Sequence, residues 1–153
     1  MTAAAIAADL HAAIDAALDA FRQVDETRTA ARPAPGKWCA REILGHLVDS
    51  ACNNHRRFIV AQGAEAVAFD GYDQDEWVRR QRYADMPFRD IAALWVAYNR
   101  HLAHVIGCTP DESLARSGRS PGGDRDITLR FLMEDYVVHL RHHLDQIRTR
   151  LAA

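Results

Sequence analysis

Four stretches of the chain repeat apolar residues at the three- and four-residue steps of an α-helix, and none alternates as a strand does. These stretches cover residues 3–22, 39–61, 88–106 and 127–151. Two prolines and a glycine between Arg32 and Lys37 end the first pattern, because neither residue type continues a helix readily. Four helices of this length predict an all-α fold, a four-helix bundle with long connections.

The length and composition are typical of one globular domain. The chain has 153 residues, of which 48% are hydrophobic and 26% charged, so a sizeable core can be buried. A net charge of −2 and a pI near 6.4 give no reason to expect a nucleic-acid partner. The opening residues lack the basic start and apolar core of a signal peptide, and no run is long enough to span a membrane. The three cysteines, Cys39, Cys52 and Cys108, share no disulfide or metal spacing. We therefore predict a single domain, residues 1–153, in the reducing cytoplasm.

The connections between the predicted helices are longer than tight turns. The longest covers residues 62–87, and a short helix is predicted inside it at about residues 75–83. Gly107 follows the third predicted helix, at a position where a residue with positive φ often ends a helix. Residues 109–126 have a turn-like composition. The sequence therefore leaves open whether the helices follow a simple up-down-up-down order.

Two histidines of the last predicted helix have the spacing of a metal half-site. His139 and His143 are four residues apart, which places both imidazoles on one helix face, one turn apart. The apolar stripe lies beside that face, so both rings should point toward the edge of the core. Two neutral imidazoles held in this way can bind a divalent transition metal, with a third ligand from elsewhere.

His46 on the second predicted helix is the best third ligand by its placement, because ligands that project inward from facing helices commonly build metal sites in bundles. Three carboxylates near the histidines could orient an imidazole through its second nitrogen: Glu42, Asp49 and Asp135. His142 is a rival ligand that the spacing does not exclude. We expect the remaining histidines, His11, His55, His101 and His104, to lie outside the site.

Three segments of the chain resemble the DinB/YfiT-like family of bacterial metalloproteins, in the family's order and over about residues 35–150. They are Trp38…Glu42…His46…Asp49-Ser50, Tyr72-Asp-Gln-Asp-Glu-Trp77 and His139-Leu-Arg-His-His-Leu-Asp-Gln-Ile147. The resemblance implies a four-helix bundle that binds zinc or nickel through three histidines, which fall on His46, His139 and His143. The position after Trp38 is commonly serine in the family and is Cys39 here, a departure that touches no ligand.

The resemblance also implies a chemistry. Family members with a known activity often act on low-molecular-weight thiols, and others hydrolyse amides. Three protein nitrogens leave a metal position open, and an ion there can lower the pKa of bound water or hold a thiol as its thiolate. The hypothesis is a divalent-metal-dependent thiol S-transferase or a related hydrolase that acts on a small-molecule substrate, with a low-molecular-weight thiol as cosubstrate.

Three further hypotheses stand beside this one. The first is a metal-binding bundle without turnover, with a role in a stress response or in interactions. The second is an ordinary bundle whose histidines are all structural. The third concerns assembly: the alanine-rich first helix could leave an apolar stripe for a second copy, which would give a homodimer.

Overall fold

The computed structural model describes residues 1–63 and 67–152, which form five α-helices and three short strands. The helices are α1 (Ala3–Phe21), α2 (Ala40–Gly63), α3 (Gln74–Gln81), α4 (Phe88–Gly107) and α5 (Leu129–Ala152). The strands are β1 (Val67–Ala68), β2 (Ser117–Arg119) and β3 (Asp126–Thr128). Single turns of 3-10 helix cover Glu26–Arg28, Tyr83–Asp85 and Asp111–Ala115. All four long helices and the short helix lie where the periodicity predicts them.

Local chemistry explains why α1 forms where it does. The side chain of Thr2 accepts a hydrogen bond from the backbone N–H of Ala5 at 3.2 Å, which caps the first turn. Alanine favours the helix along the rest of its length. Ile6, Leu10 and Ile14 recur at four-residue steps and are buried, so one face of α1 forms part of the core.

The four long helices form a bundle in which chain neighbours are not always spatial neighbours. Helix α1 packs mainly against α4 and α5, and α2 packs mainly against the same two helices. The order around the bundle is therefore α1, α4, α2, α5, with α1 and α2 at diagonal positions. The long connections predicted from the sequence make this order possible, because a tight turn would keep consecutive helices adjacent. The predicted four-helix bundle is confirmed.

A small sheet was not predicted. Strand β2 pairs in parallel with β1 and antiparallel with β3. Each strand has only two or three residues, too few for a period-two pattern to appear in the sequence. Gly118 is needed at the centre, because a Cβ there would lie 2.5 Å from the Val67 carbonyl oxygen and 2.6 Å from the Phe69 ring. The prediction that the chain contains no strands is therefore wrong in this one region.

The predicted role of Gly107 is also wrong. Gly107 is the last residue of α4, and Cys108 follows it in right-handed helical geometry, so the helix end needs no positive φ. A Cβ on Gly107 would lie 3.4 Å from the Cβ of Ala7, which shows that α4 approaches α1 closely at this point. The left-handed residue at a helix end is instead Arg82 after α3, with φ of 54°.

The core runs along the centre of the bundle, and a buried polar pair lies within it. Trp95, Phe58 and Leu140 are fully buried within it. The Tyr136 hydroxyl donates to Asn99 Oδ1 at 2.5 Å, which satisfies a polar group inside the core. Within residues 1–63 and 67–152, no helix combines the length and apolar character needed to cross a membrane.

Candidate metal centre

The start of α2 fixes the position of His46. Glu42 Oε2 accepts the backbone N–H of Cys39 at 2.9 Å, and Glu42 Oε1 accepts from Arg32 at 2.6 Å. These bonds hold the first turn of the helix, where unpaired N–H groups need partners. His46 follows one turn later and is 1% exposed, with the Trp38 ring centred 5.1 Å from its own. The ordered start of α2 and the neighbouring Trp38 ring therefore hold the His46 imidazole in place.

Helix α5 brings two more imidazoles to the same point. It packs against α2, and His139 and His143 project from one face of it toward His46. The Nε2 atoms of His46 and His139 are 3.2 Å apart, and those of His143 and His139 are 3.1 Å apart. One ring nitrogen from each of the three residues lies within 4.8 Å of the others. His139 and His143 are half-buried, so the cluster meets solvent on the α5 side.

Gln146 determines which nitrogen of His143 is free. Its Oε1 atom lies 2.9 Å from His143 Nδ1, and its amide nitrogen lies 3.0 Å from His142 Nε2. Because a carbonyl oxygen only accepts, the proton of His143 is assigned to Nδ1 and Nε2 keeps its lone pair. That lone pair faces the other two imidazoles. Gln146 was not predicted as a site residue, although its position three residues after His143 indicates contact on a helix.

All three rings favour the neutral form. Burial, followed by the nearby His143 and His139, lowers the pKa of His46 to about 3. Burial, followed by His143 and His142, lowers the pKa of His139 to about 4. Burial also lowers the pKa of His143, against the opposing effect of the Gln146 hydrogen bond. Near neutral pH the cluster therefore presents uncharged imidazoles, the form that binds metal ions.

The donor atoms fit a divalent transition metal. Two nitrogens bound to one tetrahedral zinc at its usual bond length lie about 3.3 Å apart. The observed separations of 3.1 and 3.2 Å are close to this value. Three facing Nε2 atoms cannot satisfy one another with protons alone, because each N–H can point to one neighbour. His46 Nδ1 is also buried without a hydrogen-bond partner among the described residues.

The predicted carboxylates are not at the imidazoles. Glu42 binds the start of α2, as described above. Asp49 Oδ1 accepts from the Tyr83 hydroxyl at 2.7 Å and from Gln81 at 2.5 Å, so it joins α2 to the segment after α3. Asp135 is exposed. Within the described parts of the chain, no carboxylate joins the group of three histidines.

The other histidines lie outside the cluster. His142 is exposed and contacts Gln146, and its ring centre lies 5.2 Å from that of His143. His55 and His101 form a separate pair with ring centres 5.1 Å apart, between α2 and α4. His104 Nδ1 lies 3.8 Å from Cys108 Sγ near the end of α4. The structure thus brings His46, His139 and His143 together and leaves these other histidines outside the cluster.

Two curated relatives carry names that refer to metal dependence. "Putative metal-dependent hydrolase YfiT" of Bacillus subtilis is 30% identical over 114 residues, 73% of this chain and 63% of that protein. A protein of Oceanobacillus iheyensis with the same description, OB0782, is 25% identical over 112 residues, 73% of this chain and 64% of that protein. The matched region thus spans less than two thirds of the length of either relative.

A solved structure and a family model cover most of this chain. The structure of YfiT from Bacillus subtilis, described as having an unusual four-helix bundle topology, is similar with a TM-score of 0.80. The match covers 97% of this chain and 83% of that chain at 21% identity, which shows a shared fold. The DinB superfamily model matches residues 9–147. The chain therefore belongs to the DinB superfamily.

Proposed function

We propose that His46, His139 and His143 hold one divalent transition metal, zinc or nickel, and that the protein is an enzyme that uses it. The observation that carries this proposal is the meeting of three neutral imidazole nitrogens at one half-open point between α2 and α5. Three protein ligands leave a position for a substrate, as in catalytic rather than structural zinc sites. Gln146 orients the ring of His143, and the burial of His46 keeps one side of the site dry.

The reaction that we favour joins the sulfur of a low-molecular-weight thiol to an electrophilic small molecule. The thiol loses its proton, a carbon–sulfur bond forms, and a halide leaves or an epoxide or activated alkene opens. A bound divalent ion would lower the pKa of a nucleophile at its open position. Three uncharged ligands leave the full positive charge of the ion to be offset by an anion, and a thiol becomes one more easily than water does. The absence of a carboxylate in the described cluster supports this choice, since a thiolate needs no neighbouring general base.

Hydrolysis is the second candidate, because both curated relatives are named as metal-dependent hydrolases. In that case water takes the position of the thiol, and an amide or ester is cleaved. The half-buried edges of His139 and His143 would face the substrate in either reaction. A metal-binding bundle without turnover is the remaining alternative.

Untagged protein tests these possibilities together. We expect about one zinc or nickel ion per chain by elemental analysis, and glutathione-dependent turnover of monochlorobimane. Cleavage of p-nitrophenyl acetate without a thiol would favour the hydrolase. Bound metal with neither activity would favour the non-catalytic bundle, and protein without metal under metal-replete conditions would contradict the proposal. A histidine tag must be avoided, because it binds the same metals.

A further inference from the structure

A stripe of polar residues runs along α2 from the three-histidine cluster. Ser50, Asn53 and Arg57 follow His46 at steps of four, three and four residues, which places all four on one face of the helix. Ser50 is buried, whereas Asn53 and Arg57 are half-buried. The stripe is neither part of the apolar core nor fully open to solvent. We call these four residues the α2 stripe.

Two neighbouring elements flank the α2 stripe. On one side α5 brings His139 and His143 against His46. On the other side, the Asp49 carboxylate binds Gln81 and Tyr83, and thereby holds the segment around α3 against the helix. That segment also carries Tyr72 and Trp77, whose ring centres are 5.2 Å apart. The stripe therefore lies on α2 between α5 and the segment around α3, and we call this strip of α2 surface, which begins at the histidine cluster, the seam.

Among the residues that the structure describes, Arg57 at the far end of the stripe has only neutral hydrogen-bond acceptors. Its guanidinium donates to the Asp70 backbone carbonyl at 2.5 Å and to Asn54 Oδ1 at 3.4 Å. The Asp70 carboxylate pairs instead with Arg56 at 3.0 Å. Among the described residues, no carboxylate forms an ion pair with Arg57. Its positive charge is thus available to a ligand.

The half-buried Arg57 guanidinium lacks a described ion-pair partner, and an anionic ligand would reduce the free-energy cost of its burial. Burial lowers the pKa of Arg57, against the opposing effects of Tyr72 and Asp70. A partly desolvated guanidinium without an ion pair is unfavourable. Of its five N–H donors, two are used on neutral oxygens, and the planar fork suits a carboxylate. A carboxylate on Arg57 would form charge-assisted hydrogen bonds, the strongest kind available here.

The spacing indicates the shape of the ligand. The Arg57 guanidinium contacts Asn54, one turn nearer to the histidine cluster. Asn54 is eight residue steps after His46, and eight steps of helix span about 12 Å. We propose that the seam binds an elongated thiol, with its sulfur at the histidine cluster and a carboxylate on Arg57. This inference rests on the proposed thiol chemistry and names the class of thiol that the site selects.

Calorimetry on the zinc-loaded protein tests this inference without a need for turnover. The probes are glutathione, which carries two carboxylates, and glutathione diethyl ester, which carries none. We expect the acid to bind more tightly than the ester, and Arg57→Gln to reduce this preference about tenfold or more. Arg57→Lys should retain part of it, because the charge remains. The matched control is Arg56→Gln, which breaks the Asp70 ion pair on the same loop and should leave the preference unchanged.

Each other outcome has a defined meaning. Equal binding of acid and ester by the wild type would overturn the inference and leave the thiol proposal standing. An Arg57→Gln variant that weakens both probes equally would show that Arg57 only holds the loop at Asp70, which also overturns it. The same loss of preference in Arg56→Gln would show that the preference depends on the total positive charge and not on Arg57 in particular, which would also overturn the inference. Binding of neither probe would contradict the thiol chemistry itself, and the inference with it.

Discussion

A histidine binds a metal ion only through a nitrogen without a proton, and at His143 the neighbouring amide of Gln146 determines which nitrogen that is. The Oε1 atom of Gln146 accepts from His143 Nδ1 at 2.9 Å, which leaves Nε2 directed at His139 and His46. Hydrogen-bond partners of this kind fix the tautomer and the ring orientation of a ligand. The first prediction concerns this single bond.

Gln146→Leu should weaken zinc binding by about 10–100-fold, because leucine has a similar size but cannot accept the Nδ1 proton. Competition with a chromophoric chelator measures the affinity. His142→Ala is the matched control, since it removes the other contact of the Gln146 amide and leaves the His143 bond in place. Unchanged affinity in Gln146→Leu would show that His143 does not depend on this bond.

Asp49 is a buried carboxyl whose proton affinity is changed by folding. Burial raises its pKa above the usual 3.8, although hydrogen bonds from Tyr83 and Gln81 oppose the shift, and its Oδ2 atom has no partner among the described residues. A raised folded pKa means that the folded chain holds the proton more tightly than the unfolded chain. The contribution of Asp49 to the free energy of unfolding therefore falls as the pH rises through the folded pKa.

Asp49→Asn should remove this dependence, because asparagine keeps the Oδ1 acceptor but does not titrate. Relative to the variant, the wild type should lose stability as the pH rises above about 4, where the unfolded carboxyl ionises while the folded one still holds its proton. Urea denaturation of both proteins at several pH values measures the difference. A difference that stays constant, or that grows in favour of the wild type as the pH rises, would contradict the raised pKa.

The sequence predicts some of the site residues and misses others for a physical reason. His139 and His143 share one helix, so their spacing fixes their relation before the fold is known. The prediction of His46 as the third ligand needed one further assumption, that a second helix faces the first. The partners of Glu42 and Asp49 lie in connecting segments, at Arg32 and Tyr83, and no periodicity reports where such segments return to the helices. The two carboxylates were therefore predicted at the histidines, although their hydrogen bonds lie elsewhere.

At the scale of elements, the close approach of the Tyr83 turn to α2 holds Asp49 in place. A Cβ on Gly45 would overlap the Tyr83 ring, so the helix must carry glycine at this point. Tyr83 is buried there, and its hydroxyl reaches Asp49 one turn further along α2. The glycine thus permits a contact between elements that the helix periodicity does not reveal.

Gly45→Ala should destabilise the protein by about 1–3 kcal/mol, because the Tyr83 ring must move and overpacking outweighs the better helix propensity of alanine. Gly63→Ala in the last turn of the same helix is the matched control. A Cβ there meets no described residue within 4 Å, so the change should be neutral or slightly stabilising. Equal effects of the two changes on urea denaturation would contradict the packing argument.

The short elements of the fold cannot be predicted from the periodicity of the sequence. Helices of about twenty residues repeat their pattern several times, and all of them were predicted. Strands β1, β2 and β3 pair only two or three residues each, and Gly118 at their centre has no side chain to contribute to a pattern. Gly107 was predicted to follow α4 with positive φ, whereas it is the last residue of the helix, in ordinary contact distance of Ala7 on α1.

At the scale of the whole molecule, the helix order brings the ligand-bearing helices side by side. Because α1 and α2 are diagonal, both faces of α2 can pack against α4 and α5. His46 on α2 and His139 on α5 are 93 residues apart in the chain. The histidine cluster between α2 and α5 therefore forms only when the bundle is complete.

Homodimerisation remains a proposal. The α1 stripe that suggested it lies within the bundle, where Ile6, Leu10 and Ile14 are buried. A second copy would need another face, since this stripe is already occupied. Sedimentation velocity at micromolar concentration measures the oligomeric state, and a monomer there would remove the proposal.

The central claim is that three particular histidines hold one metal ion, and the metal content of two neighbouring variants tests it most directly. His143→Ala removes one of three proposed ligands, whereas His142→Ala changes an exposed ring outside the cluster. Both variants should fold, because apolar packing along the helices supplies most of the stability. Untagged protein, compared at equal folded fraction, should carry about one zinc or nickel ion per chain in the wild type and in His142→Ala, and almost none in His143→Ala. Loss of metal in His142→Ala, or full retention in His143→Ala, would contradict the account.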